Sequence, residues 1–418
     1  MTRMKESGID WIGQIPEEWE SGKVKYFSKI SAGATPDRNN LLFWNGDINW
    51  MSSGEVNQEI VKYTAETITN LALKKSSTKL LPIGTVMLAM NGQGKTKGTV
   101  AILAIETASN QSLASFIVDG NRLNNQYLYY FFKAGYSYIR GLKGEDRDGL
   151  NLQLVSNITV LLFDIKEQQK IADFLDKKTV QLDKAKALLE EQIQKLKDYG
   201  ASLIYETVTK GLDKIVPMKD SGIDWIGQVP EGWEISKIRY LVTTRSEKRI
   251  TNSSVPYIGL ENIESQTGKF VETGIQVDKS ENIVVEIGDV LFGKLRPYLR
   301  KYWRATFPST ASSEFLVFQS SELDMNFLYY AIQSDSFIEE VNTSTYGSKM
   351  PRASWEYIKN MKIAFPTSLV EQQKIADFLD KKTVQIDQLI QIKNKQIDNI
   401  NKQRQTLIYD YVTGKRRV

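Results

Sequence analysis

The chain contains the same long segments twice. The stretch EQQKIADFLDKKTVQLD at 167–183 returns as EQQKIADFLDKKTVQID at 371–387, a shift of 204 residues. The stretch MKESGIDWIGQIPEEWE at 4–20 returns as MKDSGIDWIGQVPEGWE at 218–234, a shift of 214 residues. The two shifts differ because the segments between these motifs differ in length. Each half is therefore a constant frame around an insert that differs between the halves.

Length and composition exclude several classes of protein and of functional site. A chain of 418 residues is too long for one ordinary core, and the repeat divides it into two halves. Basic and acidic residues number 54 and 50, so a nucleic-acid surface would have to be local. The chain has no Cys and no His, which excludes disulfides, zinc fingers, thiolate nucleophiles and Ser-His-Asp triads.

We expect a cytoplasmic protein with no membrane partner. The N-terminal MTRMKESGID lacks the apolar core of a secretion signal. The longest apolar runs have the length of a strand rather than of a membrane span.

Two long helices are predicted, one after each copy of the EQQK motif. From 167 to about 208 there is no Pro and one Gly, and leucines recur every seven residues, as in a coiled-coil seam. The second copy repeats the pattern less strictly, with Lys393 where the first has Leu189. Neither helix can bury its apolar stripe alone, so we expect the two to pack on each other; the alternative is that each lies on its own domain. The predicted pairing residues are Leu175, Leu182, Leu189, Leu196, Leu203, Leu379, Ile386, Leu389, Ile397, Ile400 and Leu407.

The inserts, at about 21–157 and 235–362, are predicted to be α+β globules. Short β-rich runs alternate with Gly, Asn and Ser turns, and each insert carries an aromatic, helix-like piece at 127–132 or 327–332. Both follow the order strand, basic loop, strand, aromatic helix, Gly-led loop, final strand. The predicted domains are therefore 1–157 and 213–362 for the globules, and 158–212 and 363–418 for the helices.

The segment AMNGQGKT at 89–96 fits a relaxed phosphate-loop pattern. A phosphate-binding loop must lead into a helix, whereas the β-branched residues at 97–105 predict a strand. The matching segment FGKLRPY at 292–298 lacks the pattern. We therefore do not expect nucleotide binding here.

These loops are better suited to DNA contact. Residues 288–304 combine five basic side chains with one acid and interleaved aromatics, a composition that suits phosphate and base-edge contacts. The alternative is a solvated basic hairpin. The predicted DNA-contact residues in this loop are Lys294, Arg296, Tyr298, Arg300, Lys301 and Arg304; those in the first-half loop are Asn91, Gln93, Lys95 and Lys97; and those in the Gly-led loops are Arg147, Lys349 and Arg352.

The remaining frame residues predict structure rather than chemistry. Trp11, Trp19, Trp225 and Trp233 recur at matching positions, and we expect them to pack the inserts onto the helices. No carboxylate pair, Pro-Pro methylase motif or Gly-x-Gly cofactor loop stands out. We predict no catalytic and no metal-binding residue.

These motifs together resemble a known family. The recurrence of DWIGQ[IV]PExW before variable regions, EQQKIADFLD opening long helices and LIxxxVT closing them is similar to the specificity subunit of type I restriction-modification systems. Residues 288–298, GDVLFGKLRPY, look like a segment common in that family's recognition domains. The resemblance spans 4–413.

The resemblance implies an α+β fold in which two globular α/β target-recognition domains are separated by an antiparallel coiled coil of two long helices, with a pseudo-two-fold internal repeat. It implies double-stranded DNA as a partner, read as two unequal half-sites. It also implies two modification (methyltransferase) subunits and two restriction (translocase/endonuclease) subunits. S-adenosylmethionine, ATP and Mg2+ would bind those partners, and this chain would bind no cofactor.

The repeat supports part of this without the resemblance. A repeated frame offers two similar docking surfaces, which suit two copies of one partner. Divergent inserts cannot read identical half-sites, so the target would be bipartite and asymmetric. Two other classes stay open: a self-sufficient DNA-modifying enzyme, and a coiled-coil adaptor with no DNA role.

Overall fold

The computed structural model of the chain describes residues 3–92, 94–142, 149–251, 255–274, 280–345 and 350–418. The chain divides into two compact units. Unit 1 is Met1–Leu188 with Lys395–Val418, and unit 2 is Leu189–Asn394. Each unit contains one N-terminal motif, one insert and a segment of both long helices.

The first half of the chain contains twelve of the described strands and five α-helices. The strands are β1 Met4–Glu6, β2 Gln14–Pro16, β3 Glu20–Lys23, β4 Ser28–Ala32, β5 Trp44–Met51, β6 Ile60–Val61, β7 Glu66–Ile68, β8 Val86–Ala89, β9 Val100–Leu103, β10 Ala108–Ser109, β11 Leu113–Val118 and β12 Thr159–Leu162. The helices are α1 Asn70–Lys75, α2 Asn125–Ala134, α3 Tyr136–Gly141, α4 Leu152–Ser156 and α5 Ile165–Lys210.

A five-stranded sheet in the order β4-β11-β8-β9-β6 forms the centre of unit 1. The aromatic helix α2 packs on it, and the rings of Phe116 and Phe132 meet edge to face at 5.1 Å. A smaller sheet, β10-β5-β7, has its own apolar core. Strand β12 pairs with β3, which joins the N-terminal motif to the start of α5.

The second half repeats this plan with shorter strands. The strands are β13 Met218–Asp220, β14 Gln228–Pro230, β15 Trp233–Lys237, β16 Thr243–Thr244, β17 Lys248–Ile250, β18 Tyr257–Ile258, β19 Glu281–Val285, β20 Val290–Gly293, β21 Tyr302–Arg304, β22 Ser309–Ala311, β23 Phe315–Gln319 and β24 Lys362–Pro366. The helices are α6 Met325–Ala331, α7 Asp335–Thr343, α8 Trp355–Ile358 and α9 Leu369–Val412. Two four-stranded sheets form its centre, in the orders β16-β23-β20-β21 and β17-β19-β22-β18.

Several predictions made from the sequence are confirmed at this level. The aromatic runs are helices α2 and α6, and the frame motifs open the long helices α5 and α9. The segment after the phosphate-loop pattern is strand β9, which pairs antiparallel with β8. Of the described helices, none combines the length and the apolar composition that a membrane span requires.

Segments of α5 and α9 run antiparallel within each unit. In unit 1 the rings of Phe174 and Tyr411 lie 4.5 Å apart, and Asp183 lies 3.5 Å from Arg404. In unit 2 Lys393 donates a 2.6 Å hydrogen bond to Gln192. Rising residue numbers on α5 therefore meet falling residue numbers on α9, as in an antiparallel coiled coil.

The burial of the two helices follows the predicted stripe with one correction. Leu175, Leu379 and Ile386 are buried. The members that are half-buried are Leu182, Leu189, Leu196, Leu203, Ile397, Ile400 and Leu407. Leu389, however, is 46 % exposed, and Ile390 is the half-buried neighbour. The stripe passes through Ile390 because it continues in steps of seven to Ile397, whereas Leu389 lies one residue off this spacing.

The frame tryptophans pack as expected. Trp19 is fully buried and stacks on Phe163 with ring centroids 3.7 Å apart, immediately before α5. Trp233 is 3 % exposed, and its indole Nε1 donates to Glu371 in the first turn of α9 at 3.0 Å. These rings join each N-terminal motif to the beginning of a long helix.

Candidate nucleic-acid interface

Helix α3 is hydrogen-bonded to the loop between β8 and β9. Asn91 and Lys95 are exposed, and Lys97 is half-buried. The Arg140 guanidinium donates to the carbonyl oxygens of Gly94 at 2.7 Å and of Lys97 at 3.1 Å. These bonds use the loop backbone, so the loop has a defined position from which side chains can reach a ligand. Gln93 lies outside the described residues.

The corresponding loop between β20 and β21 contains a single 3-10 turn, Pro297–Leu299. Arg296 and Arg300 flank this turn with φ of 51° and 53°, in the left-handed region. Non-glycine residues rarely adopt this conformation, and such strain concentrates at functional sites. Tyr298, at the centre of the turn, is 51 % exposed.

Each of these loops is hydrogen-bonded to described residues at or just after the end of the Gly-led loop of the same insert. In unit 2, Leu295 and Arg352 form a β-bridge, and the Ala353 amide donates to the Lys294 carbonyl at 2.9 Å. In unit 1, the Leu150 amide donates to the Met90 carbonyl at 3.2 Å. In unit 2 the structure thus brings Arg352 next to the basic loop, two segments that the sequence suggested separately. Arg147 and Lys349 lie outside the described residues.

Three of the cations in the second loop have partners within the chain. Lys301 Nζ donates to the carbonyl oxygens of Leu260 and Ile263, both at 2.6 Å. Arg300 forms an ion pair with Asp335. Arg304 donates to Asn326 at 2.8 Å and to Asp380 on α9 at 3.3 Å. DNA contact by Arg300, Lys301 and Arg304 stays a prediction, and the structure gives each of them a role inside the protein.

The cations around Glu314 form a separate group. Arg352 pairs with Glu314 at 2.6 Å. Partial burial is the main reason that the pKa of Lys294 is lowered, and Arg352 lowers it further against the attraction of Glu314. Arg296 and Tyr298 are the two predicted contact residues of this loop whose side chains are exposed.

Sequence reasoning missed how the inserts are fastened to the helices. Gln168 and Gln372 are fully buried in the repeated EQQ motifs. Their side-chain oxygens accept from the Asn124 amide at 2.9 Å and the Asp324 amide at 2.7 Å, just before α2 and α6. A second repeated contact joins Tyr130 to Asp176 and Tyr330 to Asp380, both at 2.6 Å. The sequence does contain a signal for this contact, because each Gln occupies a position of the helical apolar stripe where a buried apolar residue is expected.

Unit 1 also has an ion cluster that has no counterpart among the described residues of unit 2. Glu59, with φ of 60°, lies 2.6 Å from Lys133 and 2.9 Å from Arg404 on α9. Burial acts to raise the pKa of Glu59, but the two cations outweigh it and lower the pKa to about 2. A shift of 204 residues makes Gly200 the counterpart of Arg404, so unit 2 has no cation at this position. In the part of the chain that the structure describes, no group of three His, Cys, Asp or Glu side chains could hold a metal ion.

Known proteins share both the sequence pattern and the fold. The family model for the type I restriction modification DNA specificity domain matches twice, at residues 16–198 and 230–402. The type I restriction enzyme MjaVIII specificity subunit of Methanocaldococcus jannaschii is 22% identical over 97% of this chain and 94% of its own length. The EcoDI specificity subunit of Escherichia coli is 19% identical over 95% of this chain and 88% of its own length.

Solved structures agree at the level of the fold. A chain from a structure described as the basis of complex assembly and conformational transition of the type I R-M system superposes with a TM-score of 0.73 at 13% identity, covering 96% of this chain and 99% of that one. The HsdS subunit from Thermoanaerobacter tengcongensis superposes with a TM-score of 0.56 at 12% identity, covering 96% and 98%. With two matched domains that together cover most of its length, the chain belongs to the HsdS family, the specificity subunits of type I restriction-modification systems.

Proposed function

We propose that the chain reads an asymmetric, bipartite DNA target, one half-site for each unit. The observation that carries this proposal is the pair of equivalent loops at 90–99 and 294–301. Both follow a central strand and are hydrogen-bonded to a residue just after a Gly-led loop, yet their side chains differ. Equivalent positions with different side chains suit two readers of different sequences.

The chemistry of the two loops supports different readouts. Asn91 can form paired hydrogen bonds with an adenine edge, and Lys95 can contact phosphate or guanine. Arg296 can form paired bonds with guanine, and Tyr298 can contact phosphate or base methyl groups. Phosphate contacts would make the affinity fall steeply with salt concentration.

Substitution of Arg296 tests the second half-site. Arg296→Ala is expected to weaken binding of the assembled complex to its native site by about tenfold or more, through that half-site alone. Arg296→Gly keeps the left-handed backbone without strain, so an equal loss in both variants assigns the effect to the guanidinium rather than to the loop. DNA affinity and methylation-site selectivity that both variants leave unchanged would count against the proposal.

The long helices carry matched exposed apolar side chains that suit a partner present twice. Val180 and Val384 are equivalent under the 204-residue shift and are 51% and 55% exposed. Leu188 and Ile392 are likewise equivalent and are 58% and 53% exposed. Identical patches on a repeated frame favour two copies of one subunit. We propose that two modification subunits dock here and that two restriction subunits join the same complex.

In this proposal the chain itself performs no chemistry. S-adenosylmethionine, ATP and Mg2+ would bind the partner subunits, and adenine methylation and ATP-dependent cleavage would belong to them. The site of action would be the cytoplasm, where the DNA is. Incubating the purified chain alone with DNA, Mg2+ and S-adenosylmethionine should leave the DNA unmodified; methylation or cleavage would instead support the self-sufficient enzyme.

A further inference from the structure

Each unit presents an exposed tyrosine in the same setting, away from the loops proposed to read DNA. Tyr26 and Tyr240 end short 3-10 helices, Val24–Tyr26 and Ile238–Tyr240, and are 71% and 64% exposed. They are equivalent under the 214-residue shift of the N-terminal motif. One exposed ring alone is ordinary, but the recurrence of this ring at equivalent positions of the two halves points to a shared role.

A basic residue lies over each ring, and a hydrogen bond to an Asn side chain holds it there. Lys25 Nζ lies 5.3 Å from the centroid of the Tyr26 ring and donates to Asn157 at 2.8 Å. We call Lys25, Tyr26 and Asn157 the first tyrosine patch. Asn157 in turn donates to the carbonyl of Gln153 at 2.8 Å, which fixes its amide.

The second tyrosine patch, Arg239, Tyr240 and Asn360, repeats every contact. Arg239 lies 4.7 Å from the centroid of the Tyr240 ring, donates to Asn360 at 3.2 Å and donates to the Tyr240 hydroxyl at 2.8 Å. Asn360 donates to the carbonyl of Glu356 at 2.8 Å. Side chains held in this way lose little conformational freedom when a partner binds.

The patches lie at the ends of the sheets opposite to the proposed DNA-reading loops. In unit 1 the loop follows Ala89, which pairs with Leu113, whereas Tyr26 precedes Ser28, which pairs with Val118. Strand β11 runs between these two ends.

Unit 2 has the same arrangement. The loop follows Gly293, which pairs with Phe315, whereas Tyr240 precedes Thr243, which pairs with Gln319. DNA bound at either loop would therefore lie at the end of the sheet opposite to the tyrosine patch of that unit.

The charge of both patches is basic. Lys23 lies next to the first patch at the end of β3. Lys237 and Lys362 face each other in the β15–β24 pair next to the second. Two acids lie nearby: Glu356 is paired with Lys359 at 2.6 Å, and the Asp119 amide donates to the carbonyl of Phe27 at 2.7 Å. An exposed ring beside positive charge is complementary to an acidic surface that carries an apolar contact.

We propose that the two tyrosine patches are equivalent docking sites for an acidic surface of a protein subunit that is present in two copies. The same three-residue arrangement recurs near the edges of two inserts whose other side chains differ, which a partner present twice would explain. This inference rests on the proposed function, because it adds a second contact for the twofold partner.

Charge reversal tests the proposal in the assembled complex. The probe is the modification subunit produced together with the full chain, and the measurement is the number of copies bound and their affinity, by light scattering and titration. Lys25→Glu with Arg239→Glu is expected to weaken assembly by about tenfold or more at low salt. Lys25→Glu alone should leave one of the two copies bound with unchanged affinity.

Two further variants separate docking from a general effect of charge or folding. Lys74→Glu makes the same change at an exposed position of α1 and should not alter assembly. Tyr26→Ala with Tyr240→Ala removes the rings without reversing charge and should weaken assembly as well. Both rings are exposed, so thermal unfolding should be unchanged.

Assembly that is normal in both double variants would overturn the proposal. Normal assembly with weaker DNA binding and a smaller salt dependence would also overturn it, and would make the patches a DNA-backbone surface. A wild-type complex that selects no bipartite sequence would defeat the proposed function alone, since an assembly defect in the variants would still support docking.

Discussion

At the scale of single residues, Glu59 has the most unusual surroundings. Its carboxylate forms ion pairs with both cations of the unit 1 cluster, Lys133 and Arg404. Its backbone combines a positive φ with a ψ of −51°. Lys133 is largely buried, and that burial is the main reason for its lowered pKa. Removing Glu59 would therefore leave a buried ammonium without its carboxylate, which is the costly way to break an ion pair.

We expect Glu59→Gln to lower the free energy of unfolding by about 1–2 kcal/mol at neutral pH, less than a fully buried pair because Glu59 is partly exposed. The folded-state pKa is lowered from 4.5 to about 2. The stabilisation is therefore present above pH 4.5 and is lost as the pH falls from 4.5 towards 2. Denaturant unfolding between pH 7 and pH 3 should show the difference between wild type and variant shrink as the pH falls.

Glu66→Gln is the matched control for this prediction. Glu66 pairs with Arg38 on the surface, where the two side chains are 40% and 53% exposed. Exposed pairs contribute little, so its loss should be below about 1 kcal/mol. Equal costs for the two variants would contradict the role given to the cluster.

The paired tyrosine hydroxyls give a second prediction at this scale. If the Tyr130 hydroxyl is removed, Asp176 still accepts a hydrogen bond from the neutral amide of Gln126. If the Tyr330 hydroxyl is removed, Asp380 still accepts one from the charged guanidinium of Arg304. We expect Tyr130→Phe to cost about 1–3 kcal/mol and Tyr330→Phe to cost less, because a hydrogen bond to a carboxylate contributes more than a neutral one and a guanidinium compensates its loss better than an amide. Thermal unfolding of the two variants would show the order, and a larger cost for Tyr330→Phe would contradict it.

At the scale of elements, the long helices depend on a narrow stripe. Ile386 is 8% exposed, and its Cδ1 atom lies 3.6 Å from the position that a Cβ on Gly200 would take. A Cβ at Gly200 would make an ordinary van der Waals contact with Ile386, so the two helices lie side by side there. Leu389, one turn further along α9, faces outward.

We expect Ile386→Ala to lower the free energy of unfolding by about 2–4 kcal/mol, since it removes a buried side chain from a packed contact. Leu389→Ala in the same helix should cost less than about 0.5 kcal/mol, because little of its surface is buried. Both values follow from urea unfolding monitored by circular dichroism. Comparable costs would mean that the stripe passes through Leu389 after all.

At the scale of the whole molecule, we propose that the lengths of α5 and α9 set the spacing between the half-sites. Removing one seven-residue repeat from the middle of each helix keeps the stripe in phase. It shortens each helix by roughly 10 Å, the rise of about three base pairs. The complex should then prefer a target with a correspondingly shorter spacer, read from the positions of methylated adenines. An unchanged spacer would defeat this proposal.

Periodic and repeated features of the sequence were sufficient to predict the two long helices, the two divergent inserts, the aromatic helices α2 and α6 and the absence of a phosphate-binding turn before β9. Each depends on local spacing or on comparison of the chain with itself. Contacts between distant residues left no such pattern. Glu59 and Arg404 are 345 residues apart, and neither differs in sequence from an ordinary surface charge.

The same distinction applies to the basic loop at 294–301. Composition by itself determined that this loop is basic and that its counterpart at 90–99 is different, which is what two readers of unequal half-sites require. Only the tertiary structure decided that Lys301 bonds two carbonyls and Arg304 bonds α9, and that the side chains of Arg296 and Tyr298 are exposed. The physical reason is that a cation's role depends on which acceptors the fold brings within about 3 Å of it, and chain spacing does not encode that.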